Sequence, residues 1–416
     1  MAITISESPQ VYNPVYNPVV WTVLSTNSGQ SNMQYILDLY VNGSGTKLKR
    51  FFKPPDNDNG GRAFFDMGAI LKGYTTQNIL RADAGFATNA NSYVRFTAKF
   101  GEQYGPSSGI TEYADLTVDS ERYAYNAVFD SPDYRDYEDD DWVLAAVNKK
   151  FLTNFPDSGK VRSADRQWVY MLTSGTNVVD HMVVRTYDSA DALIQTIRFN
   201  NQYKSILAGS ENNRFLRFPI GTNMNTITDT ILQGSLPVLT ASVSKYTIQT
   251  NNATSGITSE LRTYKIDDAC TIHDTYTFHF LNKHGGFDTF TFIRRSDKPS
   301  TVERSQYKKI QGVIGGDSTK AAGTWGYDNS DRGRVNFFTR IEDRITVHSD
   351  WVDEATMAWL EELVYSPEVY LDDSTNGFVA VNILNAGFDP KQTVNEKLFN
   401  LTLEFQYGYQ RYRQSR

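Results

Sequence analysis

A single cysteine, Cys270, stands among 416 residues. No internal disulfide can therefore form, and this cysteine usage fits synthesis in a reducing cytosol. No apolar run reaches the roughly 18 residues that a membrane-crossing helix needs, so no membrane span is expected. The opening MAITISESPQ carries neither a basic stretch nor an apolar core, which predicts no signal peptide. An excess of positive charge is missing as well: 41 Lys and Arg face 48 Asp and Glu, for a net charge of −7. Nucleic-acid binders gather positive charge into a patch or stripe, whereas basic residues here are spread along the chain, so no direct nucleic-acid contact is expected.

Catalytic signatures are equally scarce. There is no G-x-S-x-G elbow, and the glycine-bearing GVIGGD and KAAGTWG lack the GK[ST] ending of a phosphate cradle. The carboxylates flanking Cys270 in DDACTIHD would raise a thiol pKa rather than lower it. Cys270, His273, His279 and His284 form the sharpest cluster of metal-ligand types. Their spacing, C-x2-H-x5-H-x4-H, sends the side chains apart along an extended chain, so they read as hairpin histidines and no metal or cofactor is expected. Asp56 and Asp58 in PDNDNGG have the D-x-D spacing of calcium loops but no Glu follows at the required distance, which leaves a polar turn. Paired carboxylates of the glycosidase kind need only meet in space, so a polysaccharide-degrading enzyme stays open as an alternative to the main expectation, a non-enzyme.

What is abundant is aromatic: 25 Tyr and 24 Phe. Aromatic side chains suit pleated, half-buried surfaces and also protein interfaces. The length exceeds that of one hydrophobic core. The chain divides on paper into an extended arm (1–20), a β-domain (21–130), a β-sandwich-like domain (131–265) and an α+β, mostly β domain (266–416). The expected fold class is thus mainly β, a multi-domain β-sandwich-like architecture with one helix packed on the C-terminal domain.

The arm reads VYNPVYNPVV. Each proline fixes its own φ and holds the residue before it extended, so Asn13-Pro14 and Asn17-Pro18 keep an open path whose hydrogen bonds must be completed elsewhere. Two readings follow. The segment is an edge strand of its own domain, where proline is tolerated, or it docks on a neighbouring subunit through Tyr12, Asn13, Pro14, Tyr16, Asn17, Pro18 and Trp21. Strands and turns continue through the NGSG hairpin signal, a brief helix near RAFFDMGAILKGY capped by Asp66, and a turn at 174–176. The acidic DSPDYRDYEDDDW reads as a solvated linker. Farther on, DTYTFHFLNKHGGFDTFTFIRR is the clearest hairpin, with Tyr276, Phe278 and Phe280 on one face. The one convincing helix, WVDEATMAWLEELVY, has Asp350 as its expected N-cap and Trp351, Met357, Leu360 and Leu363 at helical spacing.

Three stretches together carry a resemblance: the opening YNPVYNPVVWTVLSTNSGQSNMQYILDLYVNG, the hairpin FHFLNKHGGFDTFTF, and the ending from WLEELVYSPEVYLDD through FVAVNILNAGF to KLFNLTLEFQYGYQR. They resemble structural tail or virion proteins of bacteriophages that infect Bacteroidota. The resemblance implies a virion component of the tail, collar or baseplate, made in the host cytoplasm, built of β-domains and assembled as a ring of like subunits with other virion proteins. It transfers no catalytic residues. An alternative of another class is a carbohydrate-binding host-recognition module that stacks sugars on Trp142, Trp168 or Trp325.

Overall fold

The computed structural model describes residues 3–413, apart from 78, 80–84, 90, 174–178, 204–213, 228–230, 254–255, 269–270, 316–318, 320 and 385–398. The chain is mainly β, with multiple sheets and few helices, in keeping with a multi-domain β-sandwich-like fold. It forms two compact units, residues 1–269 with 280–289, and residues 270–279 with 290–416. The expected divisions at 20 and 130 therefore lie inside the first unit. Cys270 and the turn at 174–176 lie outside the described residues.

In the first unit, strands Ile3–Glu7, Val20–Ser25 and Ala63–Asp66 form a three-stranded sheet. A six-stranded sheet runs in the order Tyr12–Pro14, Arg122–Tyr125, Tyr93–Tyr104, Gln34–Val41 and Lys49–Lys53, with Thr111–Val118 also paired to Tyr93–Tyr104. Alternation explains how they pack. In Tyr93–Tyr104 the residues Val94, Phe96, Ala98 and Phe100 point inward, while Arg95, Thr97 and Lys99 alternate with them on the other face. Trp21 reaches across from the smaller sheet and meets Phe96 edge-on at 5.6 Å. Asn42 and Gly43, read as a turn, both have positive φ (51° and 66°), the left-handed pair that Asn-Gly adopts most readily.

The same unit holds a seven-stranded sheet whose centre is His181–Tyr187 between Leu193–Asn200 and Lys245–Asn252, with Arg262–Ile266 beyond. A three-stranded sheet of Trp168–Leu172, Phe215–Pro219 and Ala87–Thr88 packs on it through Phe218 and Phe199, 5.2 Å apart.

The second unit is built on strands Val369–Asp373, Gly377–Ile383, Thr402–Tyr407, Arg334–His348 and Ser300–Lys308, consecutive neighbours in one sheet. Tyr276, Phe278 and Phe280 of the expected hairpin are all buried. The helix Glu354–Tyr365 buries Met357, Trp359, Leu360 and Leu363, and Trp359 meets Phe290 at 6.1 Å. Two details of the sequence reading are corrected. The cap is Asp353, whose Oδ1 accepts from Thr356 N at 2.8 Å, whereas Asp350 is paired with Arg294. Trp351 lies ahead of the helix and is exposed, so it contributes nothing to the buried face. The early helix is also shorter than expected: Ala63–Asp66 is strand and only Gly68–Leu71 is α-helical, because Phe65 is needed on the sheet's inner face.

Candidate functional site

In the arm the structure shows the edge-strand reading, and four of the seven expected docking residues are buried within this chain. Tyr12–Pro14 is an edge strand of the chain's own sheet, parallel to Arg122–Tyr125. Tyr12, Asn13, Pro14 and Trp21 are buried, Asn17 is half-buried, and only Tyr16 and Pro18 are exposed. The reason is local satisfaction of the backbone. The segment read as a solvated acidic linker clamps the arm instead. Asp139 Oδ2 accepts from Tyr12 N at 2.9 Å, Tyr137 Oη donates to Tyr12 O at 2.8 Å, and Tyr134 Oη donates to Pro18 O at 2.5 Å. Asn17 completes a two-way bond with the backbone of Phe129, 2.8 Å in each direction. Burial pushes the Asp139 carboxyl above its ordinary pKa, against the backbone donors that pull it down. Trp21 Nε1 donates to Asp119 at 2.6 Å, and Arg122 pairs with the same carboxylate.

Beside this clamp lies a cavity of about 700 Å³ in the first unit. Its aromatic wall is Phe129, Tyr137, Trp142, Phe155 and His284; its charged lining includes Asp136, Glu138 and Asp141 as well as Lys150, Arg262 and Lys283. His284 is held by packing against Trp142, and its Nε2 lies 2.9 Å from Asn154 Oδ1. Its Nδ1 has no hydrogen-bond partner among the described residues. Burial first, and the charges of Lys283 and Lys150 second, push its pKa down to about 3. An imidazole kept neutral that far below pH 7 packs and hydrogen-bonds; it is not poised to shuttle protons. Lys150 sits over the Trp142 ring at 5.4 Å, and Lys283 bonds Asp133 at 3.2 Å.

The second unit presents a different kind of surface. Strand Arg334–His348 pairs through Arg344–His348 with Thr402–Tyr407, but its first residues pair with Ser300–Lys308. Residues 334–339 pair with 304–308 as a ribbon continued by the small hairpin Val313–Ile314 and Trp325–Gly326, while at Arg340 and Ile341 the strand Arg411–Tyr412 joins the other edge. Ile310, Val313 and Ile314 are 80%, 64% and 75% exposed, and Phe337 is 50% exposed. Tyr307, Trp325, Tyr327 and Phe338 are exposed too. A two-stranded ribbon on its own is marginal in water, and these exposed apolar side chains recur along it among exposed charged ones. Val313, Ile314 and Trp325 fall in the glycine-bearing stretches GVIGGD and KAAGTWG, which the sequence marked as loops without marking their exposed apolar side chains. The signal available was Phe337-Phe338, two adjacent aromatic rings in one strand, with Phe337 at a register shift where regular alternation breaks.

The remaining candidates disperse. His273 is exposed, His279 lies 3.5 Å from Asp372, and His284 meets Asn154. No group of three or more His, Cys, Asp or Glu suited to a metal occurs among the described residues. Asp56 closes its own turn by accepting from Asp58 N and Asn59 Nδ2. Trp142 and Trp168 are buried, and Trp325 is exposed on the ribbon. Among the described residues no helix is long and apolar enough to cross a membrane.

No protein-family model matches the chain, and no curated protein matches it. Among solved structures, 83% of it aligns with dimeric latent PorU from Porphyromonas gingivalis at 8% identity and a TM-score of 0.18. The chain spans about a third of that protein, 32% of its length. The Bacillus anthracis TIE protein aligns with 82% of this chain and 69% of its own, at 6% identity and a TM-score of 0.13. Similarities this slight carry no argument about function.

Proposed function

We propose that the protein is a structural subunit of a phage virion, part of a tail, collar or baseplate ring, and that it acts by assembly rather than catalysis. The observation that supports assembly is the ribbon: exposed apolar side chains at Tyr307, Phe337 and Phe338 on its strands and at Ile310, Val313, Ile314 and Trp325 beyond them. Burying such residues against a partner gains about 25 cal/mol per Å² of apolar surface, a driving force unused in the isolated chain. The virion context rests on the sequence resemblance. The arm has no part in this reading, because Tyr12 and Trp21 are buried within this chain and its backbone is paired there.

The test is antibody-labelled electron microscopy of particles from the phage that encodes the chain. Label at the neck, tail or baseplate is expected. Intact, accessible particles without label would overturn the reading and redirect attention to glycan-binding and polysaccharide-hydrolysis assays.

A further inference from the structure

The ribbon carries more than apolar surface. Arg304, Lys308, Lys309, Arg332 and Arg334 are all exposed, and none has an acidic partner among the described residues. Lys308 stands directly opposite Arg334 in the antiparallel register. Like charges facing each other across a ladder destabilise it, so within one chain this pair is a liability. Over residues 304–334 the sequence has six basic residues and three acidic ones, in a protein whose net charge is −7. The ribbon is therefore a basic, aromatic element on an acidic molecule.

Its electrostatic complement is also in this sequence. Residues 130–141 hold seven carboxylates and one arginine. That segment borders the 700 Å³ cavity, which is lined by aromatic rings and by Lys150, Arg262 and Lys283 as well as carboxylates, and whose size falls in the range that admits a ligand-sized group. The lining carboxylates Asp136 and Asp141 are exposed, Asp136 being paired with its neighbour Arg135 at 2.9 Å.

We propose that the ribbon of one copy docks on the acidic segment and cavity of the next copy. The exposed rings of Trp325 and Phe337 supply the buried anchors of that contact, and Lys308 and Arg334 meet carboxylates that relieve their mutual repulsion. This inference rests on the assembly reading above and names its partner: a second copy of this chain. The two patches differ, so the contact is head-to-tail, the type that closes into a ring when its rotation permits and otherwise extends. Aromatic and arginine anchors in a desolvated pocket typically dominate binding, while the surrounding charges set orientation and association rate.

The experiment is sedimentation velocity of the full chain and two variants, each first checked for an unchanged circular dichroism spectrum and melting temperature. One variant removes the ribbon's contacts with Lys308→Ser, Arg334→Ser and Phe337→Ser; the other reverses the acidic patch with Asp136→Lys and Asp141→Lys. All five positions are solvent-facing. The wild-type chain is expected to self-associate, more weakly at high salt, and each variant alone to associate at least about tenfold more weakly. Mixed together, the two variants retain one good ribbon and one good acidic patch, so they are expected to form a one-to-one dimer and stop there. Three results would overturn the inference: a monomeric wild type, a variant that associates like wild type, or a mixture that forms no dimer. None of these touches the virion reading, which stands or falls on the labelled particles.

Discussion

The Trp142 indole lies against the His284 imidazole with ring centroids 4.4 Å apart and planes inclined at 31°. This stacking is part of what keeps His284 out of water and neutral. Its folded pKa of about 3 lies below the ordinary 6.5, so between those values the unfolded chain binds a proton that the folded chain does not. Stability from this group is fully present above pH 6.5 and is lost as pH falls toward 3, by several kcal/mol in order of magnitude. Urea unfolding at pH 7.5 and pH 5 is expected to show a smaller drop for His284→Gln than for wild type. Equal drops would mean that His284 is not protected from protons.

Removing the arm is expected to damage the fold. Deletion of residues 1–18 takes away the strand Ile3–Glu7, the strand Tyr12–Pro14 and buried Val15. A large decrease in melting temperature, or loss of soluble protein, is the expected result. A deletion variant as stable as wild type would show that the arm's contacts with residues 129–139 contribute little.

Gly285 has φ +85°, and a Cβ there would lie 2.3 Å from the backbone oxygen of Asn126. Neither fault can be relieved by a side-chain rotation. Gly285→Ala is expected to cost roughly 2–4 kcal/mol, combining left-handed strain with overpacking. Chemical denaturation measures it, and a loss under about 0.5 kcal/mol, the range of neutral surface changes, would contradict the geometry.

Two phenylalanines of the second unit should behave oppositely. Phe278 is buried and stacks on Phe405 at 4.2 Å, so Phe278→Ala is expected to cost about 3–5 kcal/mol. Phe337 is half exposed, so Phe337→Ala should leave the stability of the isolated chain within about 0.5 kcal/mol. Thermal unfolding of both variants at a concentration where wild type is dissociated makes the comparison. A large loss for Phe337→Ala would mean the ribbon is packed within its own chain.

Strand alternation, turn chemistry and the hairpin at 276–292 were legible in the sequence because they arise between near neighbours, where backbone geometry and side-chain period dictate the outcome. The same held for the helix, whose buried Met357, Leu360 and Leu363 follow its period, although its cap lay three residues later than expected. The Tyr-Asn-Pro repeat was legible only as an extended path in need of partners. Which partners it takes was decided by tertiary structure, since Asp139 and Tyr137 lie more than a hundred residues away from Tyr12 along the chain. Charge runs usually lie in water, and nothing local marks a carboxylate that will cap a distant strand. Likewise, the pattern of Phe337 and Phe338 fixes only that two adjacent rings sit in one strand. Whether either ring is covered depends on how far neighbouring strands extend: pairing with Thr402–Tyr407 begins only at Arg344, and Arg411–Tyr412 reaches only Arg340 and Ile341, where Tyr412 meets Phe338 at 5.8 Å. Local sequence thus determined the elements, while long-range pairing decided that the arm is an edge strand of its own sheet and the ribbon exposed.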